Sequence, residues 1–177
     1  RLVNWDPKLQ TALSDLEVES DKEEHGSLWH FKYFFEDKSL RTHDGKDHIV
    51  VATTRPETLL GDTAVAVNPK DKRYKKFIGK TLEVKNFADS GVDLKIKIIA
   101  DEHADMAYGT GAVGVTPAHS SVDFDMYLNQ KALGNDIGMI EVIGSDGKMT
   151  EKAGVYSGLE VLECREKVVE ALKKNKL

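Results

Sequence analysis

Residues 49–67 of this chain, IVVATTRPETLLGDTAVAV, place a polar turn between two β-prone runs. Residues 49–54 are rich in β-branched side chains and predict a strand. Residues 63–68 alternate and stop at a proline, which is typical of a strand end. The turn between them has two explanations. It is either a strand end closed by a surface ion pair between Arg55 and Glu57, or the polar lining of a site.

A second polar stretch, GTGAVGVTPAHSSVDF, occupies residues 109–124. Here a β-prone run ends at Thr116, His119 follows it, and Asp123 lies at a helix start. An acid in the first turn of a helix is favoured by the helix dipole alone, so Asp123 has a structural explanation as well as a functional one. The spacing allows Asp123 to face the end of the strand that carries Thr116.

The second stretch also contains the pattern G-x-G-x-x-G, at residues 109–114, which dinucleotide-binding folds use. That pattern holds a pyrophosphate where it follows a strand and opens a helix. Here Val115, Thr116 and Pro117 follow, so the glycines precede or enter a strand. We therefore do not expect a nucleotide cofactor, and interpret these glycines as points of close backbone approach.

Motifs for metal binding and covalent catalysis are absent from the sequence. There is no His-x-x-x-His or Cys-x-x-Cys spacing, no phosphate-binding Gly-Lys-Ser/Thr loop and no Gly-x-Ser-x-Gly nucleophile turn. If the chain hydrolyses a substrate, we expect water to be the nucleophile, positioned by polar side chains, with no metal and no cofactor.

The remaining pattern predicts an alternating, strand-rich body with few helices. Strands are expected at 28–35, 94–99 and 111–116, and hairpins at 28–54 and, around an Asp-Gly turn, at 139–150. Helices are expected at 71–78, 121–133 and 159–172. Many short strands with peripheral helices favour an α+β fold built on a closed or half-closed β-barrel.

One hydrophobic core is what a chain of this size supports. It has 177 residues, 40% of them hydrophobic, so we expect a single globular domain and a monomer. Within it, residues 1–27 are interpreted as connecting strands where the chain enters the domain, and residues 28–177 as the core. The acidic residues 14–26 are expected to form a solvated connection.

Charge and cysteine content limit the partners and the compartment. The net charge of −5 argues against a broad phosphate-neutralising surface, although a single RNA end delivered by another domain remains compatible with it. No apolar run is long enough to span a membrane, and the first residues do not resemble a secretory signal. The single cysteine, Cys164, suits a reducing cytoplasm, and we expect it to be small apolar filler on a helix.

The two polar stretches together resemble the editing (CP1) domain of the class I synthetases for valine, isoleucine and leucine, in its valyl form. Residues 53–65 are similar to the threonine-rich motif, with Arg-Pro-Glu-Thr at 55–58 where the isoleucyl form typically has Thr-Pro-Trp-Thr, and residues 109–124 are similar to the second motif. The opening at 2–7 and 11–19, and the ending at 154–159, resemble the edges of the same domain. The ATP-binding signatures of a synthetase are absent, so the resemblance is to an excised domain.

This resemblance implies hydrolysis of threonine wrongly attached to the valine tRNA, and threonyl-adenylate as a further substrate. The implied partners are the aminoacylated 3′ end of tRNA(Val) and the rest of the synthetase in cis. Asp123 matches the family's aspartate that holds the substrate's α-ammonium group. Thr53 and Thr54 match the threonines that bind the substrate and the hydrolytic water.

The resemblance also implies a set of substrate-binding residues. Arg55 and Thr116 match positions of the threonine-selective pocket, and Asp105 matches an acid near the terminal adenosine of the tRNA. Ser120 and His119, in the second motif, complete the expected set.

Two departures from the valyl pattern bear on the selectivity for threonine. Gly114 stands where valyl enzymes commonly have lysine, and Ser120 where they have aspartate. Two alternatives therefore stay open: an isoleucyl-type domain that hydrolyses valyl-tRNA(Ile), and a degenerate insertion that binds a tRNA end without catalysis.

Overall fold

The computed structural model describes residues 3–18 and 27–177. Its ten regular elements are eight strands and two α-helices. The strands are β1 (Asn4–Asp6), β2 (Thr11–Leu13), β3 (Trp29–Phe35), β4 (His48–Thr53), β5 (Ala64–Val67), β6 (Thr81–Val84), β7 (Leu94–Ala100) and β8 (Ala112–Val115). The helices are α1 (Ser121–Ala132) and α2 (Val161–Lys174), and short 3-10 helices occupy Asp15–Glu17, Pro56–Gly61, Lys75–Phe77, Phe87–Asp89 and Glu151–Tyr156.

Six strands form one mixed sheet that curls into a nearly closed barrel. Its order is β4-β3-β6-β7-β5-β8, and every neighbouring pair is antiparallel except β5 with β7. The two end strands, β4 and β8, lie against each other. This arrangement confirms the predicted α+β, barrel-rich fold. Strands β1 and β2 form a separate antiparallel hairpin.

The barrel interior is filled by aromatic and aliphatic side chains that the strand pattern turns inward. Phe31, Tyr33 and Phe35 alternate along β3 and are buried. β7, in the segment where the sequence predicts a strand, alternates in the same way from Leu94 to Ile98, and Ile99 is buried as well. Cys164 on α2 is buried in this core, which confirms the interpretation of its thiol as apolar filler.

Helix α2 contributes to the main core, whereas α1 packs on a separate apolar cluster, and both helices thereby position the polar stretches. A second apolar cluster, including Ala64, Val115 and Met126, packs α1 against β5 and β8. Helix α2 packs against the 3-10 helix Pro56–Gly61. Both α-helices lie where the sequence predicts them, and Ser120 caps α1. None of the helices in the described part of the chain is long and apolar enough to cross a membrane.

The helix predicted at 71–78 is wrong, because the structure has only the 3-10 helix Lys75–Phe77 there. The Asp71 carboxylate accepts a hydrogen bond from the backbone N–H of Arg73 at 2.9 Å and also binds its guanidinium group. This local bonding offers the backbone an alternative to a helix. The hydroxyl of Tyr74 donates to the carbonyl of Thr110, which ties the segment to the barrel instead.

The hairpin predicted at 139–150 survives only as a turn with one isolated bridge, between Ile143 and Met149. The turn is the expected one, with Gly147 at a φ of 76°. Extended pairing does not develop because the backbone N–H groups of Val142 and Ile143 donate to the ring of His119.

One strand of the sheet is not predicted from the sequence, and one predicted segment lies outside the described residues. Strand β6 was not predicted, although it joins β3 to β7 in the sheet. Residues 19–26, most of the predicted solvated connection, lie outside the described residues. The division of the chain at residue 27 therefore stays a prediction.

Candidate functional site

The polar stretches meet at a small cavity of about 180 Å³ beside the junction of β4 and β8. One wall, here called the β4 side, is the end of β4 with the 3-10 helix Pro56–Gly61. The opposite wall, the α1 side, is β8 with the start of α1. The lining residues are Ala52, Thr53, Thr54, Arg55, Thr58, Leu59, Asp62, Gly114, Thr116, Ser120 and Asp123.

The cavity gathers six of the predicted site residues, namely Thr53, Thr54, Arg55, Thr116, Ser120 and Asp123. Its volume is below the ~300–1,000 Å³ of ordinary ligand pockets, so it suits a small chemical group. Hydroxyl groups dominate the lining, and the charged groups are two carboxyls and one guanidinium.

Asp123 is fixed on the α1 side by contacts close in sequence. Its Oδ2 accepts hydrogen bonds from the backbone N–H of Thr116 at 2.9 Å and from the Thr116 hydroxyl at 3.1 Å. Its own N–H donates to Ser120 Oγ, the N-cap of α1, at 3.3 Å. Within the described residues, Asp123 Oδ1 carries no hydrogen bond and is available to a ligand. Burial raises the pKa of this carboxyl above its usual value.

The threonine-rich turn on the β4 side is closed by its own hydroxyls. Thr53 Oγ1 accepts the backbone N–H of Arg55 at 3.0 Å, and the Thr58 hydroxyl donates to the Arg55 carbonyl at 2.9 Å. Arg55 Nη1 crosses to the α1 side and donates to the carbonyl of His119 at 2.9 Å. Thr54 is exposed at the mouth of the cavity.

Glu57 is fully buried, which overturns the surface-pair explanation of the turn. Its two carboxylate oxygens each accept a hydrogen bond from Arg165 on α2, both at 2.8 Å. Arg55 Nε lies 3.7 Å from the same carboxylate, with 43% of its side chain exposed. The buried ion pair between Glu57 and Arg165 therefore holds the turn against α2, and Arg55 lines the cavity. Sequence reasoning missed Arg165, because nothing local links it to Glu57.

Asp62 is a lining residue that sequence reasoning also missed. It is 2% exposed, and its Oδ2 accepts a hydrogen bond from the buried Tyr33 hydroxyl at 2.7 Å. Burial raises the pKa of the Asp62 carboxyl well above its usual value, and the charge of Asp123 adds to the effect. The signal available in the sequence was a single acid inside the apolar run 59–67.

His119 and Asp105 do not line the cavity. His119 Nε2 accepts the backbone N–H groups of Val142 at 2.9 Å and of Ile143 at 3.3 Å. Burial, with the nearby charge of Arg55, lowers the pKa of this ring to about 4. Asp105 is exposed on the loop after β7 and accepts the backbone N–H of Ala107.

A larger cleft of about 1150 Å³ adjoins the cavity and shares Arg55 and Ser120 with it. The cleft is lined by the β1–β2 hairpin, including Trp5, and by residues from 139 to 147. Its size suits a nucleotide-sized group, in contrast to the cavity. Across residues 3–18 and 27–177, no group of three or more His, Cys, Asp or Glu side chains is placed to hold a metal ion.

The arrangement can bind a small cationic group and orient water beside it. The free oxygen of Asp123 can accept a charge-assisted hydrogen bond from an ammonium group. The surrounding hydroxyls can donate and accept hydrogen bonds, and so can position a water molecule against a bound carbonyl.

Three relatives found by comparison with known proteins are valine–tRNA ligases. The chain is 51% identical to a valine–tRNA ligase of Acinetobacter baylyi over 183 residues, which cover 96% of this chain and 18% of the relative. It is 48% identical to that of Symbiobacterium thermophilum, over 96% of this chain and 17% of the relative. The valine–tRNA ligase of Psychrobacter arcticus is 47% identical, over 92% and 15% respectively. The chain thus spans less than a fifth of the length of these relatives.

A solved structure supports the same fold. The crystal structure of GlLeuRS-CP1 superposes with a TM-score of 0.62 at 15% identity, covering 85% of this chain and 96% of that one. This likeness shows the barrel fold alone. No family model matches the chain.

Proposed function

This chain belongs to the valine–tRNA ligase family as a homologue of one segment of those enzymes, and from that premise we propose that it hydrolyses threonyl-tRNA(Val). The reaction is cleavage of the ester between threonine and the tRNA 3′ end by water, without a metal or cofactor. The observation that carries this proposal is Asp123, half-buried in a hydroxyl-lined cavity with one carboxylate oxygen free.

In the proposed mechanism, Asp123 anchors the α-ammonium group of the misattached amino acid. The two hydrogen bonds from Thr116 hold the carboxylate in one orientation, so the ester is placed reproducibly. Hydrogen bonds to charged groups contribute ~1.5–3 kcal/mol, enough to fix a small substrate in a partly dry cavity. Correct placement matters because a shift of about 1 Å can cost ~100-fold in rate.

Thr53 and Thr54 are proposed to bind the substrate and orient the attacking water. Thr53 lies at the end of β4, with its oxygen already accepting the N–H of Arg55, and Thr54 is exposed at the mouth where water has access. Arg55 bridges the two walls and is suited to contact the ester or the terminal ribose-phosphate.

The physical need for such a site follows from the likeness of valine and threonine. They differ by a methyl group against a hydroxyl, so an apolar synthetic pocket rejects threonine by only ~100-fold. A pocket with hydrogen-bonding groups accepts threonine and rejects valine, since valine would leave those groups unpaired. The hydroxyls of Thr116 and Ser120 and the carboxyls of Asp62 and Asp123 give this cavity that polar character.

The adjoining cleft is proposed to receive the terminal adenosine of the tRNA, delivered in the cytoplasm by the rest of the synthetase. Its volume suits a nucleoside, and Trp5 offers an exposed aromatic face. His119 is assigned a supporting role in this cleft, because its ring holds the backbone at residues 142 and 143. Asp105, which lies outside the cavity, is proposed to contact the tRNA.

Deacylation assays test the proposal directly. The chain, alone and within its full-length protein, is incubated with threonyl-tRNA(Val), valyl-tRNA(Val) and valyl-tRNA(Ile), with Asp123→Asn protein as the control for contaminating hydrolases. We expect rapid loss of threonine alone. Preferential release of valine from tRNA(Ile) would support an isoleucyl-type domain, and release of neither amino acid would support a non-catalytic insertion.

A further inference from the structure

The Asp62 carboxyl is the most deeply buried acid of the cavity, and one of its oxygens has no protein partner. Oδ2 accepts the Tyr33 hydroxyl, which is itself fully buried on β3. Oδ1 receives no hydrogen bond from any residue that the structure describes. Yet Asp62 lines the cavity, so this oxygen is not sealed inside the protein. A polar atom in that position is best satisfied by a ligand.

Gly114 is the reason that the carboxyl can stand there. A Cβ atom built on Gly114 would lie 3.0 Å from Asp62 Cγ and 3.1 Å from Oδ1, and closer still to Oδ2. The contact with Oδ2 would be shorter than real Cβ atoms essentially ever make, and the contacts with Cγ and Oδ1 would be tighter than nine in ten real ones. The Asp62 carboxyl thus occupies the space that a side chain at position 114 would need. Because Gly114 has no side chain, the Asp62 carboxyl can reach the cavity from the β4 side.

The two carboxyls of the cavity are placed for different tasks. Asp123 is half-buried; burial raises the pKa of its carboxyl, and the two hydrogen bonds from Thr116 oppose that rise by favouring the ionised form. Asp62 is buried against Tyr33, within the repulsive field of Asp123, and burial raises its pKa well above the usual value. Burial therefore acts on both carboxyls, and at Asp62 the charge of Asp123 adds to it, so the two carboxyls are not equivalent partners for a ligand.

We propose that Asp62 is a specificity-determining residue of this cavity, whose Oδ1 forms a hydrogen bond with the side-chain hydroxyl of the bound aminoacyl group. The proposal rests on the proposed function and names the group that distinguishes threonine from valine. An amino acid with a β-hydroxyl satisfies Oδ1, whereas one with a methyl group in its place leaves Oδ1 buried and unpaired. Tyr33 acts as a positioning residue, because its hydroxyl fixes the plane of the carboxyl.

The test compares two pairs of esters that differ only by a hydroxyl against a methyl group. The full-length protein is assayed with tRNA(Val) carrying threonine or valine, and carrying serine or 2-aminobutyrate. Asp62→Val keeps the approximate shape and removes the hydrogen bond. We expect kcat/KM for the threonyl and seryl esters to fall ~10- to 100-fold, on a scale of ~1.4 kcal/mol per tenfold. The valyl and 2-aminobutyryl esters should change little, so the preference for the hydroxyl collapses in both pairs.

Two further variants keep the test decisive if Asp62→Val folds poorly. Asp62→Asn retains polar atoms and should retain the preference for hydroxyl-bearing esters. Gly114→Ala leaves Asp62 in the chain but forces its carboxyl aside, and should lower the same preference as Asp62→Val does. Melting temperatures by circular dichroism establish that each variant is folded.

The outcomes separate this proposal from the proposed function. If Asp62→Val or Gly114→Ala slows all four esters by the same factor, Asp62 is structural, and the specificity proposal is overturned while the editing function stands. If the parent protein hydrolyses none of the four esters, the editing function itself fails. Loss of the hydroxyl preference in both variants, with retention in Asp62→Asn, supports the proposal.

Discussion

The two walls of the cavity are held in place by different kinds of contact. On the α1 side, Asp123 is bonded to Thr116 and Ser120, which lie only seven and three residues away in sequence. On the β4 side, Glu57 depends on Arg165, which is 108 residues further along the chain. The Asp123 carboxylate on the α1 side is thus held by a local strand-to-helix connection, whereas Glu57 on the β4 side is held by a contact with α2, far along the chain.

Because of this difference, we expect substitutions on the β4 side to change mainly the stability of the fold, and substitutions on the α1 side to change mainly the activity. Buried charges support the β4 side, so removing a partner there should destabilise the fold before it affects chemistry. The α1 side presents its carboxylate from a helix start that tolerates substitution, so a change there should affect chemistry while the fold survives. The predictions below test this division, beginning with the largest expected effect.

Arg165→Ala should destabilise the protein strongly. It leaves the fully buried Glu57 carboxylate without its bidentate partner, and breaking a buried pair costs ~3–5 kcal/mol. Because the Arg165 side chain is 33% exposed, we expect a value near the lower limit, about 3 kcal/mol, in urea unfolding. Lys167→Ala, which breaks an exposed pair with Glu163 on the same helix, is the matched control and should cost less than ~1 kcal/mol. Equal effects for the two variants would remove the distinction between the walls.

Asp123→Asn should slow threonyl-tRNA(Val) deacylation by at least ~10-fold, equivalent to ~1.4 kcal/mol, while the melting temperature changes little. Asparagine keeps the shape of the side chain but loses the charge that is proposed to bind the ammonium group. The exposed Asp125 on the same helix provides the control, since Asp125→Asn changes net charge equally without touching the cavity. A folded Asp123→Asn protein that deacylates at the parental rate would return Asp123 to a purely structural role.

His119 makes a long-range contact on the α1 side, and that contact should be visible in the pH dependence of stability. The folded ring has a pKa of about 4 against an ordinary 6.5, so the unfolded chain binds the extra proton between these values. Stability should therefore fall as pH drops from about 6.5 towards about 4. We expect a loss of about 1–2 kcal/mol, below the full conversion of the shift, because the ring is partly exposed.

The His119→Gln variant isolates this contribution, because the carboxyl groups titrate in both proteins. The difference in unfolding free energy between parent and variant should shrink by that amount from pH 7 to pH 4. A difference that stays constant over this range would show that His119 is not held neutral by the fold.

Arg55→Ala should have the smallest effect on stability, under ~1 kcal/mol, because the side chain is 43% exposed and Glu57 keeps its pair with Arg165. Its hydrogen bond to the His119 carbonyl joins the two walls at the cavity, so threonyl-ester hydrolysis should still fall several-fold. Unchanged hydrolysis would place Arg55 outside the working site. The contrast with Arg165, on the opposite side of the same carboxylate, tests both assignments at once.

The same contrast explains how far the sequence could predict the site. The strand that carries Thr116 and the spacing that lets Asp123 face it are local features, and the structure has them as expected. The Glu57–Arg165 pair and the contact of Asp62 with Tyr33 join residues far apart in the chain, and no periodicity marks them. The resemblance to known editing domains identified the threonine-rich turn but not the groups that support it.

The fold shows the same limit at two further places. The segment 71–78 has a helical pattern, but only the 3-10 helix Lys75–Phe77 forms there, and the Asp71 carboxylate bonds to the backbone N–H and the guanidinium group of Arg73. The pairing expected at 139–150 is replaced by backbone donation to the His119 ring. In both cases a side chain accepts hydrogen bonds from backbone N–H groups in a segment for which the sequence pattern predicts regular structure.

The most direct test of the account is a structure of the protein with a non-hydrolysable amide analogue of 3′-threonyl-adenosine. The account predicts that the threonyl group lies in the cavity, with its ammonium nitrogen ~2.7–3.2 Å from the Asp123 carboxylate and the adenosine in the adjoining cleft. If the threonyl group lies elsewhere, or enters the cavity without contact to Asp123, the account of this site is contradicted.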